Sequence, residues 1–279
     1  VEKKVGFGTN RVIVATVLLI ITLACVWYGG IWIALYLGVF VYIGIKEFSN
    51  IAKSMGADPP FYYIVSAIFL LVALASFKKY EYIFPAFALI TILAFIIILF
   101  SRKRAGINDI AMTILAITYC GILPIHMIMI RNIDAGNFLI FGNNISYGLG
   151  LIMLTFLIVP ACDIGAYYSG KFFGKHHLWK EISPKKTIEG SIGGTLAGIA
   201  IALIVGTVIG LNIVHSLIIG FLLSVFGQLG DLSESMLKRQ AGIKDSGSVF
   251  LSHGGVLDRS DSYIFTVVVA YYYYTFFII

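Results

Sequence analysis

The sequence predicts an all-α polytopic integral membrane protein of about nine transmembrane helices, N-terminus cytoplasmic and C-terminus extracytoplasmic. Three observations carry this prediction. Of 279 residues, 59% are apolar and 12% charged, with a mean hydropathy of +0.95, whereas a soluble domain carries about 25% charged and about 45–50% apolar residues. The charges sit in patches between apolar runs long enough to cross ~30 Å of hydrocarbon, which takes ~20 residues. Those runs show no period-two alternation and exceed the ~10 residues of a barrel strand, so strands are not expected.

The candidate spans fall near 12–28, 31–48, 61–77, 82–100, 110–130, 146–169, 190–209, 212–236 and 263–279. The first run ends without a small-residue cleavage site and reads as a span, not a signal peptide. Only Gly29 and Gly30 separate it from the second, predicting a tight helical hairpin or a re-entrant pair. The second span stops at Lys46-Glu47, and Asp58-Pro59-Pro60 keeps the chain out of helix before the third. Of the 20 Lys and Arg residues, all but Lys78, Lys79 and Arg131 fall on the side of the N-terminus. The positive-inside rule therefore places that side in the cytoplasm. Cys25, Cys120 and Cys162 lie inside apolar runs without metal-ligand spacing, so neither a disulfide framework nor a zinc site is expected.

The two halves differ in character. Residues 1–145 have short, bland connections and read as structural membrane helices. Residues 146–279 carry two long cytoplasmic loops, 170–190 and 237–262, crowded with Gly, Lys, Asp, Ser and His. The first runs from Asp163 through Gly170-Lys171 and Gly174-Lys175, then Ser183-Pro-Lys185-Lys186-Thr187-Ile-Glu189-Gly190. Lysines among small residues, with the Ser183 and Thr187 hydroxyls at the mouth of the next helix, suit a phosphate cradle built on a helix N-terminus. An ordinary positive-inside loop with lysines at lipid headgroups accounts for the same charges. The interleaved Phe172, Phe173, Leu178 and Trp179 suit a segment lying in the interface on either view.

The second loop is more specific. If 227–239 is helical, Asp231, Glu234, Ser235 and Lys238 share one face, at i, i+3, i+4 and i+7. Asp258 and Asp261 project together from the start of the last span in the same way. Acids near hydrocarbon are costly and mark functional sites by default. Asp231, Asp258 and Asp261 suggest a hard cation, with Mg2+ favoured because it takes one or two carboxylates plus substrate phosphates. Mutually neutralising pairs of these acids with Lys and Arg are the alternative.

The segment Ser235-x-x-Lys238-Arg239-x-x-Gly242-x-Lys244-Asp245-x-Gly247, followed by His253-Gly254-Gly255-x-x-Asp258-Arg259-x-Asp261-Ser262, resembles the signature of phosphatidate cytidylyltransferases, also called CDP-diacylglycerol synthases. Asp163–Gly174 and the Ser183–Gly190 stretch resemble that family too, so the likeness covers the last 120 residues well. It implies transfer of a cytidylyl group from CTP to phosphatidic acid at the cytoplasmic membrane face, with Mg2+ and room for a second cation. It further implies metal binding at Asp231, Asp258 and Asp261 and a catalytic part for these with Lys238 and Lys244. Substrate or phosphate binding would fall to Asp163, Lys171, Lys175, Ser183, Lys185, Lys186, Thr187, Glu189, Ser235, Arg239, His253 and Arg259. Four residues depart from the family pattern. Leu251-Ser252 stands where Pro-Gly is usual, Ile188 where Trp is usual, and Ser260 where an apolar residue is usual.

The chemistry agrees with these residue types. A phosphate monoester, with a second pKa near ~6 as in phosphoamino acids, is already a dianion at neutral pH and needs no strong base to attack a phosphorus. Such a reaction needs charge neutralisation, alignment and a stabilised leaving group, which metal ions and Lys or Arg supply. No Ser-His-Asp or Cys-His arrangement is evident. A CTP-dependent lipid-alcohol kinase would use similar parts, and a transporter or channel would favour ionisable residues at mid-span. Besides the two substrates and the bilayer, a homodimer is left open and no nucleic acid is expected.

Overall fold

The computed structural model describes residues 16–17, 20–101, 106–140, 142–247 and 254–279. They form an all-helical polytopic membrane protein in which six helical segments are long and apolar enough to cross a bilayer: Gly30–Ser54, Tyr80–Leu99, Ile107–Arg131, Tyr147–Phe173, Ile188–Val208 and Ile213–Gln240. The expected third span is a shorter apolar helix, Phe61–Ser76. Two compact units are distinguished. One comprises the described residues up to Gly121 with Ile243–Arg259, the other Ile122–Gly242 with Ser260–Ile279.

In the first unit, residues 20–28 are helical and α1 spans Gly30–Ser54. Gly29 and Gly30 adopt φ of 63° and 51°, a region L side chains disfavour, which makes the sharp reversal between the helices. The hydroxyls of Thr22 and Tyr36, each seven residues from Gly29, meet at 2.9 Å, so the connection is a helical hairpin as expected. Helix α1 does not stop at Lys46-Glu47 but runs on to Ser54. Glu47 is buried on the face that also buries Gly44, Phe48 and Ile51, where donors meet its carboxylate. Helix α2 (Phe61–Ser76) begins directly after Pro60. A 3-10 turn (Tyr80–Tyr82) leads into α3 (Ile83–Leu99). The N-terminus of α4 (Ile107–Ile117) is tied down by Asp109, whose Oδ2 accepts from Gly106 N at 3.0 Å and whose Oδ1 accepts from Asp58 N at 2.7 Å.

The chain continues through a π turn (Thr118–Ile122) into α5 (His126–Arg131). In the second unit follow strands β1 (Asn137–Ile140) and β2 (Asn143–Ser146), helix α6 (Tyr147–Phe173), strands β3 (His177–Trp179) and β4 (Ser183–Thr187), helices α7 (Ile188–Val208) and α8 (Ile213–Gln240), and most of α9 (Leu257–Phe277). The apolar runs are helical as expected, and the strands form only two short antiparallel hairpins, β1-β2 and β3-β4, among the described residues. Both lie in polar connections outside the apolar runs, where backbone groups released from helix pair with each other.

Helices α6, α7 and α8 pack closely because α7 buries a stripe of small residues at four-residue spacing: Gly190, Gly194, Gly198, Ala202 and Gly206. Without a hydrophobic drive between helices in lipid, such close backbone approach supplies the packing. A Cβ on Gly194 would stand 2.7 Å from the Cys162 carbonyl of α6, and one on Gly198 would collide with Ser224 of α8. Gln228 joins the same three helices. Its Nε2 donates to Thr195 Oγ1 at 3.1 Å, Ser191 O at 3.3 Å and Cys162 Sγ at 3.4 Å. The Tyr274 hydroxyl of α9 meets Thr155 Oγ1 of α6 at 3.0 Å in the core.

Candidate functional site

The C-terminal half of α8 carries Asp231, Glu234, Ser235 and Lys238 one turn apart, as the helical spacing predicts. Lys238 Nζ donates to Glu234 Oε2 at 2.7 Å, and both side chains are buried. Ser235 Oγ lies 3.5 Å from Asp231 Oδ1. The other Asp231 oxygen, Oδ2, pairs with Lys186 Nζ of β4 at 2.6 Å. Gly227 and Gly230 allow α9 to press against this helix. A Cβ on Gly230 would collide with the Asp261 carbonyl, and one on Gly227 would stand 3.2 Å from Thr266 Oγ1. Asp261 is thereby within electrostatic reach of Asp231, Glu234 and Lys238. Its Oδ1 accepts from Ser262 N at 2.7 Å. Asp163 of α6 is within reach of Asp231 and Lys186. Four acids and two lysines from α6, β4, α8 and α9 are thus gathered in the second unit.

The flanking hairpin is ordered by two residues expected to touch phosphate. Thr187 caps α7, its Oγ1 accepting from Gly190 N at 3.1 Å, and lies so close to Gly170, Gly174 and Gly190 that a Cβ on any of them would crowd it. Glu189 accepts from Lys175 N at 3.1 Å, His176 N at 3.3 Å and His176 Nδ1 at 2.6 Å, which fixes the start of the hairpin against α7. No motif or spacing in the sequence marks His176, whose part here follows from its contact with Glu189. Lys171, Lys175 and Lys185 are exposed, and Ser183 is partly so. Lys171 Nζ lies about 6.0 Å above the Tyr167 ring. Arg239 Nε donates to the Ile182 carbonyl at 3.3 Å, linking the end of α8 to β4.

In the first unit, Asp258 Oδ2 accepts from Ser246 N at 2.9 Å, Ser246 Oγ at 2.9 Å and Gly255 N at 2.7 Å. Lys244 and Arg259 are exposed. His253 and the departing pair Leu251-Ser252 fall outside the described residues. Ser260, the other polar departure, is buried near the start of α9.

Among the described residues, no three His, Cys, Asp or Glu side chains form a ready-made metal cage. Mg2+ does not require one, since it is typically held by one or two carboxylates completed by waters and substrate phosphates. Asp231 and Asp261, oxygen donors with further acids near them, fit that requirement. Lys186 and Lys238 limit the like-charge repulsion that two ionised carboxylates would otherwise impose.

The chain matches the Cytidylyltransferase family over residues 9–277. It is 35% identical over 264 residues to a phosphatidate cytidylyltransferase of Staphylococcus epidermidis, covering 92% of this chain and 95% of that protein. A phosphatidate cytidylyltransferase of Synechocystis sp. is 33% identical over 288 residues, covering 95% of this chain and 96% of its own. One from Staphylococcus saprophyticus is 34% identical over 264 residues, with 92% and 95% covered.

Proposed function

Because this chain belongs to the cytidylyltransferase family, we propose that it acts as a phosphatidate cytidylyltransferase, a nucleotidyltransferase of phospholipid biosynthesis. A phosphate oxygen of phosphatidic acid forms a bond to the α-phosphorus of CTP. The bond from that phosphorus to the bridging oxygen breaks, and CDP-diacylglycerol and pyrophosphate leave. The full-length likeness to phosphatidate cytidylyltransferases carries the reaction. The acid and lysine cluster of the second unit supports its location.

Asp231 and Asp261 would hold Mg2+, which when bound shields the phosphate charges and stabilises the departing pyrophosphate. Lys186 is the residue best placed to exchange its carboxylate partner for a nucleotide phosphate, because it stands on β4 beside the exposed Lys185 and already touches Asp231. The buried Lys238–Glu234 pair fixes the electrostatic background of Asp261. Thr187 and Glu189 would act by shaping the lysine-bearing hairpin, and Asp258 by ordering the start of α9. The basic residues support a nine-span arrangement with this site on the cytoplasmic face, the bacterial relatives supporting a cytoplasmic-membrane location.

The test is product identification. Purified protein with α-32P-labelled CTP, phosphatidate and Mg2+ is expected to give labelled CDP-lipid and unlabelled pyrophosphate. In a parallel reaction supplied with a lipid alcohol in place of phosphatidate, labelled CDP with a lipid monophosphate would instead establish a CTP-dependent kinase.

A further inference from the structure

Glu47 is legible in the sequence only as the end of a span, yet the residue is 3% exposed and its carboxylate is surrounded by donors. Oε1 accepts from Val256 N at 2.9 Å. Oε2 accepts from Leu257 N at 3.0 Å and from Ser246 Oγ at 3.1 Å. These partners lie on the two flanks of one stretch, Ser246–Gly247 on one side and Gly255–Leu257 on the other. The stretch carries the family signature and leads into α9.

Two further features fit a carboxylate here. Val256 and Leu257 supply amides at the N-terminus of α9, where the first N–H groups have no partner within the helix and the dipole favours an anion. Gly247 and Gly255 leave room for the acid: a Cβ on Gly247 would lie 2.5 Å from Glu47 Oε1, and one on Gly255 would collide with Oε2. Ser246 Oγ, with a single proton, touches both Glu47 Oε2 and Asp258 Oδ2, so the two carboxylates are coupled through one hydroxyl.

We propose that Glu47 is a positioning residue for cytidylyl transfer: by joining Ser246–Gly247 to Gly255–Leu257 it fixes the start of α9 and the Asp258 carboxylate that Ser246 and Gly255 bind. The inference rests on the reading above that Asp258, by ordering the start of α9, serves the transfer reaction. A displacement of about 1 Å in a reacting assembly costs on the order of 100-fold in rate, so a strut outside the chemistry suffices to set kcat.

Glu47→Gln preserves shape but turns one acceptor oxygen into a donor, so the amide of Val256 or of Leu257 loses its partner. Glu47→Asp keeps the charge and withdraws it by one methylene. Both are expected to lower kcat about 100-fold, with KM for phosphatidate within threefold of wild type. Both should also accelerate hydrogen exchange in the peptide containing Val256 and Leu257. Ser246→Ala, which removes the shared hydroxyl, should move both readouts the same way by a smaller factor, and it decides the matter if the Glu47 variants do not fold. Asp258→Asn is the reference. If it loses activity while folded Glu47→Gln and Ser246→Ala keep kcat within threefold, the positioning role is wrong. If Asp258→Asn itself keeps full kcat, the reading of Asp258 fails instead. A role confined to stability would lower the melting temperature of the Glu47 variants and leave the kcat of the folded fraction unchanged.

Discussion

The buried Lys238–Glu234 pair shows how cost and function are joined at single residues. Taking either charge out of water is expensive unless its partner stays, and removing one member of a buried pair typically costs ~3–5 kcal/mol. Lys238→Met is therefore expected to destabilise the protein strongly, whereas Lys238→Met combined with Glu234→Gln should recover much of the loss. Thermal unfolding in detergent checks this, and equal stability of the single and double variants would show that the pair is not coupled. Lys186 behaves differently because its partner Asp231, at 2.6 Å, stays partly exposed, so water can take over the carboxylate when the lysine is removed. Lys186→Met should leave the melting temperature nearly unchanged and lower kcat/KM for CTP by about 100-fold, in the range found when a single charge-stabilising group is removed. Steady-state kinetics at saturating phosphatidate would measure it. Asp231, Glu234, Ser235 and Lys238 were legible in the sequence because helical period fixes which residues share a face. Glu47 was not. Its donors, Ser246, Val256 and Leu257, are about 200 positions away, and only tertiary structure brings them to it.

At the scale of elements, spans were readable from hydropathy, while the ends of helices were not. Polar residues at a helix end look alike whether water or protein satisfies them. Lys46-Glu47 therefore read as a terminus although α1 continues to Ser54. The hairpin β3-β4 was hidden for a related reason, since its residues Ser183–Thr187 have loop composition and gain strand geometry only by pairing with His177–Trp179. The small-residue stripe of α7 makes the most direct element-level prediction. A Cβ on Gly165 of α6 would stand 2.5 Å from Ala197 Cβ, and one on Gly194 2.7 Å from the Cys162 carbonyl. Gly165→Val or Gly194→Val should force α6 and α7 apart at ~1–3 kcal/mol, with a lower melting temperature and reduced activity. Gly210→Ala, where nothing lies within 4 Å of a Cβ and only the positive φ is strained, should cost less.

For the whole molecule, the near-complete segregation of Lys and Arg to one side of the nine-span scheme predicts that residues 170–190 and 237–262 face the cytoplasm. A cysteine placed at Ser183 should react with an impermeant maleimide in inside-out vesicles and be protected in right-side-out ones. The reverse pattern would overturn the orientation. Fold class and reaction are both legible from the chain, the first because composition bounds it and the second because the charged residues of the signature stand in order around the departing ones. The gathering of Asp163, Lys186, Asp231 and Asp261 from four elements was less so, since the close approach of α8 and α9 depends on Gly227 and Gly230 lying against particular atoms of the neighbouring helix. The central claim is that Asp231 and Asp261 hold the cation that serves cytidylyl transfer. It is tested most directly by titrating Mn2+ into wild type, Asp231→Asn and Asp261→Asn, with binding followed by electron paramagnetic resonance and CDP-lipid formation followed in the same samples. The predicted result is that each variant stays folded, binds Mn2+ at least tenfold more weakly and loses at least 100-fold in turnover. A folded variant that binds Mn2+ and turns over as wild type does would contradict it.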